Sequence, residues 1–197
     1  MKIKRFAKIV SFFLGPSFTL FPIPYILVSK FTHSSAYALK WTLFSYVFVV
    51  AAAFSVSLGV LFGVFTNFDV SKREQRPLLF FLLGLIMLLY FLSIIVIGAP
   101  KVLFFGIFAL MGSLLILFMV NKWIKVSIHM AVLVSVLILI SLAYKGYLFL
   151  FLFVPLLAWA RVKAKEHTIL EVIYGGVLGI MLTFVIYFIG KYLFYLI

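Results

Sequence analysis

Long apolar runs alternate with short polar stretches along this chain. The runs are continuous and lack the period-two alternation of half-buried strands, so they predict membrane-spanning helices. Prolines interrupt the first run, and the sixth is short. The pattern predicts an all-α, polytopic transmembrane helix bundle that forms a single domain over residues 1–197. Its membrane segments, about six or seven, lie at about 10–29, 40–65, 78–98, 102–120, 130–144, 147–160 and 169–195.

Composition supports this assignment to the membrane. Hydrophobic residues make up 67% of the chain and charged residues 11%, which is more apolar surface than a soluble core could bury. The net charge of +13 comes from cations clustered between the apolar segments, so we expect them to face lipid headgroups and no nucleic acid to bind. The basic and apolar start, "MKIKRFAKIVSFFLG", resembles a signal peptide. No small-residue cleavage site follows, so we expect it to be retained.

Three polar stretches, at 69–77, 125–129 and 161–171, contain nearly all the acidic and histidine side chains of the chain. Two apolar segments separate each stretch from the next, which predicts that all three emerge on one membrane face. Ionisable groups this concentrated in an apolar chain indicate a site. The stretches or their edges hold all four acidic residues and two of the three histidines: Asp69, Glu74, Glu166, Glu171, His129 and His167.

The residue types in these stretches are suited to phosphate chemistry. Guanidinium and ammonium groups bind phosphate oxygens, and imidazole can attack phosphorus or protonate a leaving oxygen. His167 and Glu171 are four residues apart, so on a helix the carboxylate could accept the Nδ1 proton and leave the other ring nitrogen for attack. The cations expected on the same rim are Lys72, Arg73, Arg76, Lys125 and Arg161.

The three stretches resemble the signature motifs of the type 2 phosphatidic acid phosphatase superfamily, and in particular its small bacterial members. In that family the first motif ends Arg-Pro, the second is Ser-Gly-His, and the third is Arg, five residues, His, three residues, Asp. The matching residues here are Arg76-Pro77, Ser127-Ile128-His129, and Arg161 with His167 and Glu171 at the same spacing.

The resemblance implies a role for each matching residue. His167 would be the nucleophile that forms a phosphohistidine, Glu171 would orient it, and His129 would be the general acid. Hydrolysis would need no metal and no cofactor. The phosphoryl oxygens would be bound by the remaining matching residues and the nearest motif-one lysine: Arg76, Arg161, Ser127 and Lys72.

The chain departs from the family pattern at four positions. Asp69 stands where the first motif has its lysine, so Lys72 would substitute if this segment is helical. Ile128 replaces the glycine of the second motif, Ala160 replaces a serine before Arg161, and Glu171 replaces aspartate.

Simpler interpretations stay open at several of these residues. Thr168 and Glu171 fit a capping box, in which Glu171 would only cap the last helix. Arg76 could extend its charge from the start of a span towards the membrane surface. His129 could be structural, and a metal site formed with His167 and Glu171 is conceivable. Lys122, Lys163 and Lys165 are interpreted as membrane-edge charges.

The expected function is hydrolysis of a lipid phosphate or diphosphate in a multi-pass cell membrane, the bacterial inner membrane. Candidate substrates are phosphatidic acid, phosphatidylglycerol phosphate and an isoprenyl diphosphate. The alternative is a non-catalytic lipid-phosphate binder or a small transporter. The side of the membrane depends on the first segment: the motif face holds twelve cations against five if it crosses, and eight against nine if it does not.

Overall fold

The computed structural model describes residues 2–144 and 146–193. Within these ranges the chain is helical and contains no strand, which confirms the predicted all-α fold class. Lys145, in the turn after the fifth predicted segment, and residues 194–195, at the end of the last one, lie outside the described residues. The α-helices are α1 (Lys2–Phe13), α2 (Pro16–Thr19), α3 (Ile23–Thr32), α4 (Ser35–Leu61), α5 (Arg76–Ile97), α6 (Lys101–Trp123), α7 (Ile128–Ala143), α8 (Phe153–Lys163) and α9 (Ile169–Leu193).

Five helical stretches within the described ranges are long and apolar enough to cross a membrane. The predicted segment at 130–144 becomes α7, whose 16 residues extend about 24 Å. The predicted segment at 147–160 is divided between a 3-10 turn, Tyr147–Leu152, and the 11-residue α8. The five long stretches are Lys2–Thr32, Ser35–Leu61, Arg73–Ile97, Lys101–Trp123 and Ile169–Tyr192.

Local sequence accounts for the helix boundaries. Pro16 begins α2 directly after Gly15, which is extended, so the first segment is interrupted as predicted. Pro77 lies in the first turn of α5, where its missing N–H costs nothing. Gly98 ends α5 in the left-handed conformation, with φ of 75°. The Ser34 hydroxyl caps α4 by accepting the amide of Tyr37 at 3.3 Å.

The described chain divides into two compact units, and the first joins Met1–Ile23 to Ile124–Ile197. Its core lies among α7, α8 and α9 and includes Leu133, Leu157 and Val172. Helix α1 packs against α8 through small residues, where Ala7 is fully buried against Ala160. These contacts hold both ends of the sequence around the second and third polar stretches.

Glycines on α9 allow its backbone to approach α7 closely. A Cβ atom at Gly175 would collide with the carbonyl oxygen of Ser127, and one at Gly179 would collide with the carbonyl oxygen of Ala131. The Ser135 hydroxyl also donates to the carbonyl oxygen of Gly179 at 3.0 Å. Small residues with backbone approach of this kind are typical of helix packing in membranes.

The second unit, Pro24–Trp123, contains α4, α5, α6 and most of α3. Its largest core cluster includes Val28, Trp41, Ile94 and Leu103, one residue from each of these helices. A buried hydrogen bond between Ser45 and Tyr90 joins α4 to α5. The first polar stretch lies in this unit and ends in the first turn of α5.

Candidate functional site

A polar pocket lies where α8 ends and α9 begins. It has a volume of about 300 Å³, and the loop between the helices supplies most of its walls. The second polar stretch contributes Lys125, so the second and third stretches meet as the sequence predicts. The described residues that line the pocket are Lys125, Val162, Lys165, Glu166, His167, Thr168 and Glu171.

His167 and Glu171 form the closest polar pair in this pocket. Nδ1 of His167 lies 2.7 Å from Oε2 of Glu171, and the side chains are 1% and 20% exposed. A carboxylate only accepts hydrogen bonds, so the proton belongs on Nδ1 and the lone pair of the neutral ring belongs on Nε2. The predicted hydrogen bond is confirmed; the catalytic roles stay predictions.

Glu171 also caps α9. The amide of Thr168 donates to Oε2 of Glu171 at 3.3 Å, and the amide of Glu171 donates to Oγ1 of Thr168 at 3.3 Å. These reciprocal bonds form a capping box, which satisfies amides that the first helical turn leaves unpaired. Because the capping box fixes the carboxylate against the helix start, it also fixes the oxygen that His167 contacts.

Lys125 brings a positive charge to this pair. Its Nζ lies 3.6 Å from Oε2 of Glu171 and donates to the carbonyl oxygen of Glu166 at 3.2 Å. The amide of Ser127 donates to the carbonyl oxygen of Glu171 at 3.0 Å, which ties the start of α7 to the start of α9. Lysine 125 was expected only as one of several rim cations; its position makes it the cation closest to the carboxylate among the described ion pairs.

Arg161 supports the His167 loop with its backbone and contacts α1 with its side chain. Its carbonyl oxygen accepts the amides of Glu166 at 3.2 Å and His167 at 3.4 Å. Its guanidinium is 1% exposed, and Nη1 donates to the Ser11 hydroxyl at 2.7 Å. Lys8, one turn earlier on α1, lies 4.0 Å from the Glu166 carboxylate. No local pattern predicts the role of Ser11, which is 150 residues from Arg161.

The two motif-two residues lie beside the pocket rather than in its described lining. Ser127 is fully buried, and its hydroxyl has no hydrogen-bond partner among the described residues. His129 lies in the first turn of α7 with its Nε2 against the backbone at Gly15, where an added Cβ would approach it to 3.0 Å. The turn between α1 and α2 therefore packs on the predicted general acid.

The two predicted motif-one residues belong to the second unit. Arg76 is 2% exposed; its Nη1 donates to Oδ1 of Asn121 at 2.6 Å and its Nε to the carbonyl oxygen of Val70 at 3.4 Å. Lys72 is exposed and extended, just before the 3-10 turn Arg73–Gln75. The two side chains therefore have different environments. Lys72 was expected to replace the family lysine only if its segment is helical, and Lys72 lies before the helix, so that condition is not met.

Asn121 is a residue whose importance the sequence could have indicated. It is an amide at the end of an apolar helix, and polar groups at such positions are costly unless they are paired. It is 5% exposed and accepts the Arg76 guanidinium, while Arg73 donates to the carbonyl oxygens of Asn121 and Lys122. The start of α5 is thus joined to the end of α6.

Across 2–144 and 146–193, no three His, Asp or Glu side chains are grouped so that they could hold a metal ion. His167 and Glu171 contact each other, while Nε2 of His129 faces the turn at Gly15.

Comparison with known proteins leaves the family open. The chain matches no protein-family model, no curated protein and no solved structure. Membership of the type 2 phosphatidic acid phosphatase superfamily therefore stays a prediction that depends on the residues of the three polar stretches.

Proposed function

We propose that this chain is a membrane phosphatase that hydrolyses a lipid phosphate or diphosphate through a phosphohistidine at His167. The observation that carries the proposal is the 2.7 Å hydrogen bond between Nδ1 of His167 and Oε2 of Glu171. It places the lone pair on Nε2, the nitrogen that would attack phosphorus, and it orients a ring that lines a polar pocket.

Two lysines of the pocket can contact an anionic substrate, beside two glutamates of the same lining, Glu166 and Glu171. Lys125 and Lys165 line the pocket, and the backbone of Arg161 supports the loop that carries His167. Nζ of Lys125 lies 3.6 Å from Oε2 of Glu171. A phosphoryl group bound between Lys125 and His167 would therefore have its oxygens beside the Lys125 ammonium group. Within the same unit, Arg161 and Ser127 are the further phosphate-binding residues that the motif resemblance implies.

The proposed reaction proceeds in two displacements. Nε2 of His167 forms a bond to phosphorus, and the bond from phosphorus to the lipid oxygen breaks. Glu171 stabilises the cationic phosphorylated ring through Nδ1. Water then attacks phosphorus and passes a proton to His129, the bond to Nε2 breaks, and inorganic phosphate leaves. His129 is proposed to protonate the lipid oxygen, which would require its ring to leave its position against Gly15.

An apolar cleft in the same unit as the pocket supports a lipid rather than a soluble substrate. The cleft has a volume of about 620 Å³ and lies among α7, α8 and α9 within the first unit. Val172 and Ile173 line it and directly follow Glu171 of the polar pocket. We propose that this cleft accepts the hydrocarbon chain of the lipid whose phosphate binds at His167. Phosphatidic acid, phosphatidylglycerol phosphate and an isoprenyl diphosphate all fit this chemistry.

The test is phosphate release by purified chain in detergent. We expect the wild-type chain to release phosphate from at least one of these three lipids in the presence of a metal chelator, and His167→Ala to release none. Thr183→Ala is a matched control, because Thr183 is buried in α9 and bonds only its own helix at 2.8 Å in the described contacts. Equal release by wild-type and His167→Ala protein would contradict the mechanism. Binding of all three lipids without release would favour the non-catalytic alternative.

A further inference from the structure

Helix α1 has a buried side and an exposed side. Ala7 and Ser11 are buried against α8. Phe6, Ile9 and Phe13, at spacings of three and four, are all more than half exposed. The exposed side also carries Ile3 and Phe12 and the four cations Lys2, Lys4, Arg5 and Lys8, and α1 contains no acidic residue.

Helix α1 is the first part of the candidate span Lys2–Thr32, and by itself it is too short to cross a membrane. Its 12 residues extend about 18 Å, whereas the hydrocarbon layer is about 30 Å thick. The helix ends before Gly15, which is extended, and Pro16 begins a separate helix, so α1 does not continue as one straight rod. Four cations within its first seven residues would also be costly in hydrocarbon.

We propose that α1 is an interfacial helix whose outer face binds the surface of an anionic bilayer. The exposed aromatic and aliphatic residues enter the boundary between headgroups and acyl chains, and the cations contact anionic headgroups. The absence of acidic residues on α1 gives the charge complementarity that selects an anionic rather than a zwitterionic surface.

The inner face of α1 connects this surface to the candidate site. Ser11 accepts the Arg161 guanidinium, and Gly15 lies against Nε2 of His129. A bilayer that holds α1 in place therefore also holds two residues of the second and third polar stretches. The binding claim itself does not depend on the proposed phosphatase activity.

The test uses the full chain in nanodiscs and a single spin label. The chain contains no cysteine, so Ile9→Cys carries a nitroxide at one defined position of the outer face. In discs of phosphatidylcholine with phosphatidylglycerol, we expect the label to lie at the boundary of headgroups and acyl chains and to be more immobile than in phosphatidylcholine alone. A label at Phe13→Cys, on the same face, should report the same depth and the same lipid dependence.

Charge variants identify the lipid contact. Each cation near an anionic surface favours the bound state about fivefold, so changing Lys2, Lys4 and Arg5 to Gln should weaken binding of α1 roughly a hundredfold. The matched control changes Lys40, Lys101 and Lys163 to Gln, three exposed cations outside α1, and should bind as wild type.

Three results would overturn the proposal. The first is a label that lies in water or at the bilayer centre. The second is a label at the boundary whose mobility does not depend on anionic lipid. The third is an equal loss of α1 binding in the Lys40, Lys101 and Lys163 control. None of these readouts involves turnover, so failure of the phosphatase proposal would leave them unchanged.

Discussion

One carboxylate oxygen, Oε2 of Glu171, lies 2.7 Å from Nδ1 of His167 and 3.3 Å from the amide nitrogen of Thr168. The sequence offered a helix cap and a partner of His167 as alternatives for this residue. Both contacts exist together, because the first turn of α9 places this oxygen between the His167 ring and the amide of Thr168, which the helix itself leaves without a backbone acceptor. The cap therefore also orients the carboxylate for the ring.

The two contacts of Glu171 can be separated by substitution. Thr168→Ala removes one half of the capping box and should lower the free energy of unfolding by about 1 kcal/mol, with turnover retained. Glu171→Gln keeps an oxygen for the cap but loses the negative charge that stabilises the histidine cation, so turnover should fall on the order of 100-fold. Thermal unfolding in detergent and phosphate release measure the two effects. The reverse pattern would mean that Glu171 acts only as a cap.

Ser11→Ala should destabilise the first unit. The Arg161 guanidinium is 1% exposed and would lose an acceptor at 2.7 Å, at a cost of about 1 to 3 kcal/mol. Ser57→Ala is the control, because the Ser57 hydroxyl bonds only the carbonyl of Ala53 in the described contacts and is exposed. Thermal unfolding should separate the two variants. Equal stability of both would show that the contact contributes little.

The membrane helices and the His167–Glu171 pair follow from local sequence. Apolar runs determine the helices. The four-residue spacing brings His167 and Glu171 together, but not on one helical face as expected, because His167 lies in the loop before α9 and Glu171 lies in its first turn. The Arg161–Ser11 and Arg76–Asn121 contacts join residues 150 and 45 positions apart, and no periodicity encodes such pairings. The motif resemblance grouped Arg161 with His167, but packing of α1 on α8 determines where its guanidinium points.

Neighbouring glycines on α9 should respond differently to the same substitution. An added Cβ at Gly175 collides with the carbonyl oxygen of Ser127, so Gly175→Ala should cost about 1 to 3 kcal/mol of stability. At Gly176 the Cβ would meet only Cγ2 of Val134, at 4.0 Å, so Gly176→Ala should be neutral or gain about 0.5 to 1 kcal/mol. Thermal unfolding of both variants measures the difference. Similar stabilities would argue against close packing of α7 and α9 at this point.

Asn121→Ala should destabilise the second unit. Arg76 is buried and would lose an acceptor at 2.6 Å, and hydrogen bonds to charged groups contribute about 1.5 to 3 kcal/mol. Asn121→Asp keeps an oxygen towards the guanidinium and should retain most of the stability. Unfolding of the two variants in detergent tests this, and a stable Asn121→Ala protein would show that Arg76 is satisfied elsewhere.

The most direct test of the central claim is capture of the covalent intermediate. Purified chain is mixed with a lipid phosphate, quenched within the first turnovers under conditions that preserve phosphohistidine, digested and analysed by mass spectrometry. The account predicts a phosphoryl group on His167, its absence in His167→Ala, and its accumulation if the water step is slowed. Phosphate release by the wild-type chain with no phosphorylated His167, and continued release by His167→Ala, would contradict it.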